Sequence, residues 1–449
     1  MAIATVPPPR SSDELDRVVP QCPYVGLIPF DEKDAAYFFG RERESDLIVA
    51  NLTASRLTLL YAASGVGKTS VLRAGVLPRL HQLDEDPDED LGLSGTVVAY
   101  VSAWRDDPLE TIAAAIYDAV DRVTGAETGK KITAAPKLSV AWLREVLRQC
   151  KASAIYLILD QFEEYFLYHP TDRGDQGLSI ELGRILSARN LPVNVLLSLR
   201  EDALASLDRF EEEVPYLFDN YLRLTHLSRE AAQVAIKGPL DRYNHLVPAD
   251  RSISIESGLI NALLDQVRTG KVQVAPEGTT PDRFAVDGDA SDDHGAIETP
   301  YLQLVLTRLW DQERASGSSR LRQSTLDDLG GAQAIVQSHL DNVLAGLSPT
   351  QLDTAAAVFH HLITTSGTKI ALTAQDLAEL SGQPASAVQD FLERLCSGPH
   401  RILRGVPPAT GVVGPPAMRS FTMSWARRCS TGAAAMRRNA DRKSHPAGW

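Results

Sequence analysis

The run Ala62-Ala63-Ser64-Gly65-Val66-Gly67-Lys68-Thr69-Ser70 has the spacing of a phosphate-binding loop, with alanine in place of its first glycine. The chemistry explains the residue types. Glycines at 65 and 67 let successive backbone N–H groups turn toward an anion. Lys68 adds a mobile ammonium for the outer phosphates of a nucleotide, and the Thr69 hydroxyl is a ligand type suited to Mg²⁺. Ser64, Gly65, Val66, Gly67, Lys68, Thr69 and Ser70 are therefore candidate ATP- or ADP-binding residues. A chance glycine-rich turn would lack the flanks seen here. A strand-length apolar run, Leu57–Tyr61, precedes the loop, and a helical pattern through Leu72, Val76 and Leu80 follows it.

A second site is an acidic strand end. Ile155-Tyr156-Leu157-Ile158-Leu159 reads as a buried strand and ends in Asp160, with Gln161-Phe162-Glu163-Glu164 after it. Asp160 is placed to hold Mg²⁺, and Glu163 or Glu164 to orient or deprotonate an attacking water. Acids at a helix start also suit the helix dipole, so a solvated face explains the glutamates equally well. Val193–Leu199 is another strand and ends in Arg200, a cation that senses a terminal phosphate or closes a salt bridge.

These residues need a scaffold. Strand candidates at Thr96–Ser102, Ala154–Asp160, Val193–Leu199 and Tyr221–Leu224 alternate with helical patterns such as Leu109–Val123 and Val140–Cys150. Alternation of that kind predicts an α/β fold, a parallel sheet covered on both faces. After Ser228 helices take over, interrupted by a polar insert at 269–298. From 347 to 416 the order is helix, Thr373-Ala374-Gln375-Asp376 capping box, helix, Ser381-Gly382-Gln383-Pro384 turn, helix and short strand. That order predicts a winged helix. The expected domains are a disordered leader over 1–22, a nucleotide domain over 23–228, a helical domain over 229–346, the winged helix over 347–416 and a tail over 417–449.

Composition limits the alternatives. At 449 residues, 44% hydrophobic and 23% charged, the chain can bury a sizeable core. No apolar run is long enough to span a bilayer, and the N-terminus lacks the pattern of a secretory signal, so no membrane partner is expected. Cys22, Cys150, Cys396 and Cys429 show no CxxC spacing, so neither a zinc site nor a disulfide framework is expected, and a reducing cytoplasm fits. The net charge of −13 argues against a nucleic-acid scaffold.

Together the motifs resemble a known family. Pro23-Tyr24-Val25-Gly26-Leu27 with Pro29-Phe30, Tyr37-Phe38-Phe39-Gly40-Arg41-Glu42, the phosphate loop, Ala103-Trp104-Arg105, Asp160–Glu164 and Pro300-Tyr301-Leu302-Gln303-Leu304-Val305 with Arg308-Leu309-Trp310 are similar, in this order, to the bacterial novel STAND NTPase 1 group. The resemblance implies an AAA+-like, STAND-type P-loop NTPase domain, an all-α helical domain and a winged helix around ADP or ATP. It implies that Phe39, Gly40, Arg41 and Glu42 lie near the adenine, that Pro300 approaches the base and that Arg200 is the sensor arginine. It also implies slow hydrolysis, acting as a timer between a closed ADP state and a self-associating ATP state. Such proteins serve bacterial signalling or defence and answer an upstream signal that the sequence does not name.

Two other functions match parts of the pattern: an AAA+-like ATPase reading DNA through its winged helix, and a nucleotide-binding remnant without signalling output. Asp390 and Glu393 against Arg394 make the helix over 385–395 a poor groove reader, so nucleic acid is not expected and that helix is expected to pack internally. No effector domain is expected before residue 23 and no sensor repeats after the winged helix. The tail departs from the family pattern. From Met418 on there are seven basic residues and one acid, and every methionine except Met1 lies there. The family's Phe-His-Asp-x-Leu element is replaced by Met418-Arg419-Ser420-Phe421-Thr422-Met423-Ser424-Trp425, so the tail is expected to be disordered and read out of the family's frame.

Overall fold

Five apolar runs form one all-parallel sheet: β1 (Leu57–Ala62), β2 (Thr96–Val101), β3 (Ala154–Leu159), β4 (Val193–Arg200) and β5 (Tyr221–Arg223), in the order β2-β3-β4-β1-β5. The computed structural model describes residues 20–82, 95–124, 137–170, 177–214, 216–269, 295–362, 372–396, 403–406 and 417–420. Side chains along each central strand alternate between two cores. Ile155, Leu157 and Leu159 point to one, with the helices Pro108–Thr124, Val140–Cys150 and Leu178–Ser187. Tyr156 and Ile158 point to the other, with the helix Glu42–Ala54 and the helix after the phosphate loop. Burial on both faces is why these strands read as continuous apolar runs. Because every strand runs the same way, the ends of β1, β3 and β4 meet at one edge, where α/β sheets carry their ligands.

β4 lies between β1 and β3, pairing Leu60 with Ser198 on one side and Ile158 with Leu196 on the other. The phosphate loop and Asp160 therefore flank the end of β4. That insertion sets the geometry of the site.

The helices Arg229–Leu246, Ser257–Gln266, Thr299–Ala315, Gly331–Ala345, Pro349–His361, Ala374–Ser381 and Ala385–Cys396 share one apolar cluster that runs from Leu227 to Leu403. The boundary expected at 346/347 is thus not a break in the core. Tyr24 also belongs to this cluster and donates its hydroxyl to Ile236 C=O at 2.9 Å, so this residue packs on the helices rather than on the sheet. The leader ends earlier than expected as well, because Trp310 Nε1 donates to Gln21 C=O at 2.9 Å.

At the end of the expected insert over 269–298, just before the helix Thr299–Ala315, Ile297 is fully buried and bridges both Leu227 and Arg268. One apolar residue in a polar run gives no periodicity to detect. Strands do not stop after Ser228, since Ser254–Ile255 pairs with Arg320–Leu321, a ladder too short to leave a sequence pattern. The tail is not unstructured from 417: Ala417–Ser420 pairs antiparallel with Leu403–Val406. Backbone pairing in a two-stranded ribbon does not depend on the charge or methionine content from which the tail was read. Residues 421–449, and the frame expectation with them, lie outside the described residues.

Candidate functional site

The phosphate loop leaves β1 at the buried Ala62. Gly65 and Gly67 take φ of +87° and +105°, the left-handed region where a side chain is strained. A Cβ at Gly67 would meet no atom within 4 Å. Val66 anchors the loop by burying its side chain in the core, and its carbonyl accepts from Arg41 Nη2 at 3.3 Å. Lys68 Nζ donates to Ala62 C=O at 3.2 Å, and the helix that follows runs through Lys68–Ser70, a π-helical Val71–Val76 and Leu77–Gln82.

Asp160 is fully buried and accepts four hydrogen bonds. Ser198 Oγ and Gln161 N–H donate to Oδ1 at 2.7 and 2.9 Å, and Tyr100 Oη and Thr69 Oγ1 to Oδ2 at 2.7 and 2.8 Å. A buried carboxylate so surrounded meets the requirement that burial imposes on a charge. Trp104 Nε1 holds the Asp160 carbonyl at 2.8 Å, and Gln161 turns the chain away with φ of +56°. Below, Phe162 stacks on Tyr165 with ring centroids 5.1 Å apart and meets Trp104 edge-on at 5.0 Å.

Glu163 and Glu164 both face inward, 8% and 2% exposed, so the solvated-face alternative does not hold. Glu163 Oε2 accepts Arg200 N–H at 3.3 Å, tying the acidic helix start to the end of β4. Arg200 Nε donates to Asp202 Oδ1 at 2.8 Å and Nη2 pairs with the same carboxylate. Its Nη1 is buried and has no partner among the described residues. Such an unpaired donor at the site edge fits an anionic group such as a terminal phosphate.

Phe39, Arg41 and Ser70 line a cleft beside the loop with Phe30, Phe38, Val66, Gly67, Thr299 and Gln303. The Phe39 ring lies against Gly238, where a Cβ would fall 2.4 Å from Cγ. Gly40, at φ +85°, donates its N–H to the Glu42 carboxylate at 3.0 Å. Arg41 works as a brace: it also binds Thr225 C=O at 2.8 Å and Glu44 at 2.7 Å, and burial draws its pKa down. Ser70 Oγ is engaged by Phe30 N–H at 3.2 Å. Pro300 reaches the loop, its Cγ 3.9 Å from where a Gly65 Cβ would sit. The cleft has a volume of about 40 Å³, below the roughly 150 Å³ that admits a benzene ring.

The sequence profile of the family Novel STAND NTPase 1 matches residues 23–404. The chain belongs to that family. A comparison with curated protein sequences returned no match. Among solved structures, this STAND NTPase is similar to the Aeropyrum pernix ORC1 protein in complex with DNA, at 16% identity, 93% of this chain, 97% of that one and a TM-score of 0.44. It is also similar to the Aeropyrum pernix ORC2 protein in ADPNP-ADP complexes, at 14% identity, 89% and 94% coverage and a TM-score of 0.42. A Walker-type ATPase of Pyrococcus abyssi follows at 16% identity, 90% and 98% coverage and a TM-score of 0.38.

The STAND NTPase site contains residues that sequence reasoning missed. Ser198 is the polar break in an apolar strand, and its place two residues before Arg200 was the available signal. Tyr100 shares the alternation of Val98 on β2, which turns it toward the helix after the loop. Thr299 and Tyr37 carry hydroxyl oxygens that are buried without a partner among the described residues, and both residues line the cleft. No helix among the described residues is long and apolar enough to cross a membrane, and no group of three or more His, Cys, Asp or Glu among them is arranged to hold a metal ion.

Proposed function

We propose that this STAND NTPase is an ATP- and ADP-dependent molecular switch with slow hydrolysis, acting in bacterial signalling or defence. The single observation behind it is the Thr69–Asp160 hydrogen bond at 2.8 Å, which joins the phosphate loop to the acidic strand end. In this reading the loop N–H groups from Gly65 to Lys68 and the Lys68 ammonium take the phosphates. Thr69 and Asp160 would hold Mg²⁺, which when bound neutralises charge on the phosphate oxygens. One of Glu163 and Glu164 accepts a proton from the attacking water, and Arg200 senses the terminal phosphate through its unpaired Nη1. Phe39 and Pro300 border the base.

The walls of the cleft come from the N-terminal segment, the phosphate loop and the helix Thr299–Ala315, so a base bound there touches elements of both the sheet domain and the helical part, as a nucleotide-dependent switch requires. Pro349–His361, Ala374–Ser381, Ala385–Cys396 and the hairpin of 403–406 with 417–420 are proposed as the winged helix. The helix Ala385–Cys396 buries Val388, Phe391, Leu392 and Leu395 but exposes Asp390, Glu393 and Arg394, so it is amphipathic rather than internal. That acidic face keeps nucleic acid out of the proposal. The ATP-bound form is proposed to self-associate.

Light scattering on the purified chain tests the proposal. ATP should give a larger species than ADP, and Lys68→Ala should give one species with either nucleotide. A parental chain whose thermal midpoint ignores both nucleotides would sink it, because a ligand that binds the folded state must raise that midpoint.

A further inference from the structure

We propose that Tyr100 is a positioning residue for the Asp160 carboxylate and sets how tightly the site holds Mg²⁺, an inference that rests on the nucleotide reading above. Tyr100 lies one position before the end of β2 and pairs with Ile158, two residues short of Asp160. Its hydroxyl donates to Oδ2 at 2.7 Å, the same oxygen that accepts Thr69 Oγ1 at 2.8 Å. Ser198 and Gln161 N–H occupy Oδ1. Of the two donors on Oδ2, Thr69 is itself a candidate metal ligand. Tyr100 is the one that is not.

The phenol is itself aimed. The Arg73 guanidinium lies over the Tyr100 ring, 5.7 Å from its centroid, and pairs with Asp31 at 3.0 Å. Asp31 caps the short helix Glu32–Tyr37, accepting Glu32 N–H at 2.7 Å. A line of contacts thus runs from the N-terminal segment through Arg73 and Tyr100 to the carboxylate. Outer partners of a metal ligand fix its orientation and basicity, so losing one weakens metal binding. Packing alone is the competing explanation for Tyr100, and phenylalanine separates the two because it keeps the ring and removes only the hydroxyl.

The test is ADP binding by titration calorimetry on the full chain, in EDTA and across a Mg²⁺ series. Tyr100→Phe should leave the metal-free affinity unchanged and lower the thermal midpoint only by the loss of one hydrogen bond to a buried carboxylate, while the Mg²⁺ concentration that gives half of the metal effect rises about tenfold. An unchanged Mg²⁺ midpoint overturns the inference. So does an equal loss of affinity with and without metal, which is the signature of a packing role. Failure of the nucleotide reading is a separate result: the parental chain would then show no ADP binding that Lys68→Ala abolishes.

Discussion

Arg105 and Asp376 form a bidentate ion pair, with Nη2 2.8 Å from Oδ1, that joins the loop after β2 to the first turn of Ala374–Ser381. Both ends have a second engagement. Trp104, next to Arg105, holds the Asp160 carbonyl, and Asp376 closes the capping box with Thr373. A link thus runs from the backbone of the acidic strand end to the C-terminal helices.

The pair makes a prediction about acid stability. The Arg105 guanidinium, helped by Thr373, holds the Asp376 carboxyl down at about 2. A carboxylate depressed in the folded state contributes stability that is fully present above its unfolded pKa, near 4, and is lost as pH falls toward 2. Arg105→Ala should therefore lower the urea midpoint at neutral pH and flatten its fall across that window. The pair is partly exposed, so the loss should be about 0.2–1 kcal/mol. Identical acid limbs for parent and variant would show that the pair is not maintained in solution.

Hydrolysis should depend on the acidic strand end. Glu163→Gln and Glu164→Gln remove a carboxylate and leave a side chain of the same shape. ADP affinity should stay at the parental value in both, and turnover should fall by about 10²–10⁴-fold in the variant that lacks the base. Parental turnover in both single variants and in the double variant would place the base elsewhere.

What could be read from the sequence was whatever local spacing dictates. Gly65, Gly67, Lys68 and Thr69 must stand in that order for a loop to wrap a phosphate, and Asp160 must end a buried strand. Tyr100 and Ser198 could not be found in that way. Ser198 reaches Asp160 because β4 is inserted between β1 and β3, and Tyr100 because β2 pairs with β3 on its other side; nothing in the order of the strands along the chain states their order in the sheet. Spacing also cannot reveal a backbone like that of Gln161, whose positive φ breaks the usual preference for glycine. The glutamates show the same limit from the other side. An acidic helix start looks alike whether it faces water or a closed site, and only the burial of both side chains tells the two apart.

Thr299 gives the sharpest prediction, because two effects of opposite sign are expected from one substitution. Its Oγ1, like Tyr37 Oη, is buried in the cleft wall with no partner among the described residues, while Ser70 is engaged by Phe30, Gln303 by Val25, and Arg41 by Val66 and Thr225. An unsatisfied buried hydroxyl costs the free protein about 1–3 kcal/mol, and a made hydrogen bond contributes about 0.5–1.5 kcal/mol. Valine has nearly the shape of threonine, so Thr299→Val should raise the thermal midpoint of the nucleotide-free chain. The same change should weaken ADP by up to about tenfold, since 1.4 kcal/mol is a factor of ten. Thr299→Ser should restore affinity, and inorganic triphosphate, which lacks a base, should bind all three proteins alike. If Thr299→Val binds ADP as the parent does, the hydroxyl makes no ligand contact; if triphosphate weakens in parallel with ADP, the substitution has disturbed the phosphate loop and not the base cleft.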